Sequence, residues 1–82
     1  MRTVDFFNLV WSEYKDARKK YASFHSTHEG IAVIQEEVDE LWDMVKRNKE
    51  VKIQPEMVKE CIQIAAMSFA FMKDLGGIDD EL

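Results

Sequence analysis

Residues 34–42, Ile34-Gln35-Glu36-Glu37-Val38-Asp39-Glu40-Leu41-Trp42, set four carboxylates among apolar residues that recur at helical spacing. A helix that buries acids beside an apolar stripe is unfavourable unless a cation or a partner compensates. The acids therefore constrain both this helix and whatever stands next to it.

At about 100° per residue, Ile31, Ile34, Val38, Leu41, Trp42 and Val45 fall on one side and are expected to face the core. Gln35, Asp39, Asp43 and Lys46 are expected to face water. Glu37 and Glu40 project beside Val33 and Met44, so that flank should be covered as well, with Glu36 at its border. Side chains three apart are neighbours on a helix surface, so Glu37 and Glu40 can hold one hard cation between them.

The other two stretches also read as helices. From about 4 to 21, Phe7, Val10, Tyr14, Ala17 and Tyr21 recur at steps of three and four, with a basic second half at the negative end of the helix dipole. Ser26-Thr27-His28-Glu29 has the form of a capping box, starting a helix of about 27–48. Gly30 in its first turn suits a close approach. Pro55 opens a third helix of about 55–75, apolar on nearly every side and therefore central, with a solvated arc expected through Lys59, Ala66 and Lys73. Gly76-Gly77 ends it, and Ile78 to Leu82 reads as a short, frayed acidic tail. No linker or repeat divides the chain, so residues 1–82 are expected to form a single all-α domain.

A chain of 82 residues buries only about 60 to 65% of its unfolded surface. Yet 46% of it is hydrophobic, with two Trp, five Phe and five Met. Part of that surface should meet another subunit, giving a helical-bundle homodimer or homotetramer. The net charge of -5 leaves no basic stripe for nucleic acid beyond Lys15, Arg18, Lys19 and Lys20, which read as a solvated helix end. The lone Cys61 lies in an apolar run and reads as an unreactive thiol. The first residues, Met1-Arg2-Thr3-Val4-Asp5, suit neither a signal peptide nor a membrane span, so a cytoplasmic location is expected.

Helix three carries Glu60 and Gln63 at the spacing of Glu37 and Glu40, in apolar surroundings. A short connection favours antiparallel packing of the second and third helices, which would let Glu37, Glu40, Glu60 and Gln63 converge. Three carboxylates and an amide oxygen suit Mg²⁺ or Mn²⁺. The alternative is a set of surface acids engaged in salt bridges. A di-iron site is excluded because neither Glu37 nor Glu60 has a His three residues on. No phosphate-cradling glycine loop is present, and Cys61 points off the acidic face.

Glu36-Glu37-x-x-Glu40 followed by Glu60-x-x-Gln63 resembles the paired motif of the MazG-like, all-α nucleoside triphosphate pyrophosphohydrolases, Glu-Glu-x-x-Glu and then Glu-x-x-Asp. The likeness extends from about Phe24 to Leu75. It implies an oligomeric helical bundle that hydrolyses a nucleoside triphosphate to monophosphate and pyrophosphate. It further implies metal binding by Glu37, Glu40 and Glu60, with Gln63 in the place of the family's Asp, and a water-activating role for Glu36. Trp11, His28 and Lys46 are candidate substrate contacts. The competing expectation is a non-catalytic helical oligomer that keeps a degenerate metal site.

Overall fold

A computed structural model of the chain describes residues 1–79. It contains three helices, α1 (Thr3–Lys20), α2 (Thr27–Arg47) and α3 (Pro55–Asp74), and no strand among the described residues. The expected ends hold to within a residue or so. The part of the acidic tail beyond Asp79 lies outside the described residues.

Each boundary has a local cause. Ser26 Oγ accepts from the Glu29 amide at 3.1 Å and so caps α2. The reciprocal half of the box is replaced, because the Glu29 carboxylate reaches His25 Nδ1 at 3.5 Å. Pro55 occupies the first turn of α3, where its missing N–H goes unused. After α3, Gly76 takes φ +92°, and the amides of Gly77 and Ile78 return to the Met72 carbonyl.

Helix α3 is central and packs against both α1 and α2, whose backbones do not approach each other closely. Between α1 and α3 lie Tyr14, Ala66 and Ala70, with the Tyr14 ring edge-on to Phe69 at 4.7 Å. Lys59 is exposed as expected, but Ala66 is wholly buried and Lys73 half-buried, so the solvated arc does not run through Ala66. Glu56, Ser68 and Met72 are exposed as well, because α1 and α2 cover α3 from two sides and leave the remainder to solvent. One further tie closes the fold. The Asp74 carboxylate accepts from Arg18 and, at 2.8 Å, from the Phe24 amide, joining the end of α3 to α1 and to the loop before α2.

Helix α2 meets α3 chiefly through the flank of Val33, Glu37 and Met44, which was expected to be covered as well, and only through Ile34 and Leu41 of the most apolar stripe. Gly30, Val33, Ile34, Glu37, Leu41 and Met44 are buried or half-buried, whereas Ile31, Val38, Trp42 and Val45 are exposed, Trp42 by 57%. The helix is turned by roughly a quarter of a revolution from its most apolar orientation. A physical reason is visible at Gly30, where a Cβ would run into the Phe71 ring. The absence of a side chain at that point lets α3 approach the flank that also carries Glu37.

The result is a thin core. Among the described residues only Tyr14, Met57, Ala66 and Ala70 are buried and apolar, while Val4, Phe7, Leu9 and Trp11 of α1 remain exposed. The accessible surface is 6321 Å², against about 5100 Å² for a compact monomer of this mass. The radius of gyration is 13.7 Å, against about 11.7 Å for a compact domain of this length. No helix among the described residues is long and apolar enough to cross a membrane.

Candidate metal centre

The rotation of α2 carries Glu37 into its interface with α3, one turn from Glu40, and the facing residue of α3 is Glu60. One carboxylate oxygen from each of the three lies within 4.8 Å of the others. Glu60 is 6% exposed, Glu37 half-buried and Glu40 exposed, so the cluster runs from the helix interface out to solvent.

Gln63, one turn after Glu60, faces the same point. With its amide nitrogen toward the acids it donates to Glu37 Oε2 at 2.9 Å and to Glu60 Oε1 at 2.8 Å. The opposite orientation would set its oxygen against carboxylate oxygens alone. Glu60 Oε2 is left buried without a hydrogen-bond partner. A buried acid oxygen is satisfied either by a proton or by a cation.

The electrostatics follow from this crowding. Burial pushes Glu60 up to about 7, helped by hydrogen bonds it can donate, when protonated, to Glu37 and Glu40, and by their charges. Glu37 is also raised, by burial first and then by the charges of Glu40, Glu13 and Glu36, against a hydrogen bond with Glu60 that lowers it. The carboxylates thus share protons in place of a counter-charge. A divalent ion would relieve the same repulsion, and oxygens alone are the donor set that Mg²⁺ or Mn²⁺ takes.

Beside the cluster, a groove of about 650 Å³ opens between α1 and α2. Its floor is Gln63, Met67 and Ala70, its walls include Glu13, Tyr14, Ala17, Val33, Glu36 and Glu37, and Tyr21 and Phe24 line it from the loop. Glu36 is exposed on that wall, beside Glu37. Of the candidate substrate contacts, none lines it. Trp11 packs on Tyr14 and Phe69, His28 is exposed near the start of α2, and Lys46 pairs with Asp43 at 3.2 Å beside the Trp42 ring.

Glu13 is the residue that reasoning from sequence missed. It is half-buried on α1, and its charge bears on Glu37. The signal was present, because Glu13 lies three residues after Val10 and four before Ala17 and so shares the covered flank of α1. Compared with known proteins, the chain matches no family model, no curated protein and no solved structure.

Proposed function

We propose that the chain is a Mg²⁺-dependent nucleotide pyrophosphohydrolase of the MazG-like kind, cleaving a (d)NTP or related nucleotide to monophosphate and pyrophosphate. The observation that carries this reading is the convergence of Glu37, Glu40 and Glu60, with one Glu60 oxygen buried and unpartnered. Those three residues would hold the ion. Bound there, it would neutralise the phosphates and polarise the α-phosphoryl group.

The chain's own residues do the rest. Glu36, exposed beside Glu37, takes the proton of the attacking water as the α–β phosphoanhydride bond breaks. Tyr14, Phe24 and Met67 give the groove apolar surface against which a nucleobase can pack. Arg18, also in the groove, is engaged by Asp74. Phosphate charge is therefore left to the cation, to Lys20, which also lines the groove, and to residues of other subunits.

A homo-oligomer belongs to this reading. The excess surface of about 1200 Å² over a compact monomer, and the uncovered Ile31, Val38, Trp42 and Val45, supply the contact. Neutral Gln63, which adds no charge to the centre, favours the second reading of a non-catalytic oligomer with a weak cation site.

Incubation of the purified protein with Mg²⁺ and each common (d)NTP, followed for pyrophosphate, separates the two. Release that stops on Glu37→Gln or Glu60→Gln supports the hydrolase. No product from any nucleotide leaves the non-catalytic oligomer.

A further inference from the structure

We infer that the groove beside the acid centre reads guanine, and that Glu13 is the residue reading it. The inference rests on the hydrolase reading above and names the class of its substrate, a guanine nucleoside triphosphate. Five acids line the groove, and four are accounted for. Glu37 belongs to the centre, Glu36 is assigned to the attacking water, Glu29 reaches His25, and Asp16 is exposed to solvent. Glu13 is half-buried, and no hydrogen bond or ion pair reaches it among the described residues. Both of its oxygens are free acceptors. It stands outside the set of acids that would hold the ion, yet near enough for its charge to bear on Glu37.

A carboxylate presents two acceptors side by side. Guanine alone among the common bases presents two donors side by side, N1–H and the 2-amino group. On adenine and cytosine the amino donor has a ring-nitrogen acceptor for a neighbour, and the single imide N–H of uracil or thymine is flanked by carbonyls. Each of these would set an acceptor against a Glu13 oxygen where guanine makes a second hydrogen bond. The groove supplies the rest. Tyr14 and Phe24 offer ring surface for a purine, and Ala17, one turn after Glu13, leaves space on the α1 wall. Its volume of about 650 Å³ is that of an ordinary small-molecule site. Glu13 is thus a specificity-determining residue, which touches the base and not the reacting phosphorus.

The test is calorimetric binding to the full chain, with Mg²⁺ at pH 8, of the α,β-methylene analogues of GTP, ATP, CTP, UTP and ITP, which resist hydrolysis at the bond in question. The GTP analogue should bind about five- to 150-fold more tightly than those of ATP, CTP and UTP, the discrimination that one bidentate base contact provides. The ITP analogue, without the 2-amino group, should lose most of that margin. Glu13→Gln sets a donor beside an acceptor, so it should weaken binding of the GTP analogue and strengthen that of the ATP analogue, a reversal that a merely structural role would not produce. Equal binding of all five by the wild type, preference for another base, or a guanine preference unchanged in Glu13→Gln would overturn the inference while leaving the hydrolase reading intact. Failure of the wild type to bind any of them would overturn both. The wild-type order of affinities decides the matter even where the variant does not fold.

Discussion

Gly30 of α2 lies under the ring of Phe71 on α3, and a Cβ at position 30 would come within 2.9 Å of Phe71 Cε2. This contact lets α2 present Glu37 to Glu60, since a side chain here would push the helices apart near one end of the acid cluster. Gly30→Ala should therefore destabilise the fold by about 1–2 kcal/mol, the overpacking cost less the gain in helix propensity. Phe71→Leu in the same chain should recover part of it, as read by urea denaturation.

Asp74 is the second structural tie. Its side chain is 5% exposed, and Asp74→Ala would leave the Phe24 amide without its acceptor and the Arg18 guanidinium without its counter-charge, with only Tyr14 and Ser23 still accepting from it. A loss of about 2–4 kcal/mol is expected. Asp74→Asn, which keeps one acceptor oxygen, should lose less. Thermal melts of the three proteins provide the comparison.

The raised acids make the metal-free chain sensitive to pH. Glu60 moves from 4.5 to about 7 on folding, so between those values the folded form holds more protons than the unfolded one. The associated stability is present in full below the unfolded value and is lost as pH rises through about 7. Its upper limit is about 3 kcal/mol. The melting temperature in EDTA should fall between pH 5.5 and pH 8, and Glu60→Gln should flatten that dependence.

Excess Mg²⁺ should oppose this trend, because ion and proton compete for the same oxygens. At 100 times its dissociation constant, an ion that binds only the folded form adds about 2.7 kcal/mol. Mg²⁺ should therefore raise the melting temperature more at pH 8 than at pH 5.5, and not at all in Glu60→Gln.

The apolar stripe of α2 carries the prediction for assembly. Val38→Glu together with Trp42→Lys should lower the mass seen by light scattering to the 9.6 kDa of one chain while keeping helical circular dichroism. A wild type already at that mass would remove the oligomer from the proposed function.

Much of this was legible in the residues. The apolar spacing, the Ser26 cap, Pro55 and the closing glycines locate three helices, because each acts over a few neighbouring positions. The i, i+3 pairs Glu37/Glu40 and Glu60/Gln63 likewise follow from spacing along a helix. Two things did not follow. Periodicity identified Ile31, Val38, Trp42 and Val45 as a stripe that ought to leave water, and the single chain leaves it exposed. Nor did spacing say whether the Gln63 amide would offer the acids its oxygen or its nitrogen.

The sequence by itself determined where the helices begin and end and which residue types lie on each of their faces, since hydrogen bonds along one helix and the caps at its ends are local. Only the tertiary structure decided which face of α2 meets α3, because that depends on the space at Gly30, on the Phe71 ring and on how α1 already covers the other side. From that choice came the meeting of Glu37 with Glu60, the burial that raises them, the amide that bridges them, and the approach of Glu13 from α1.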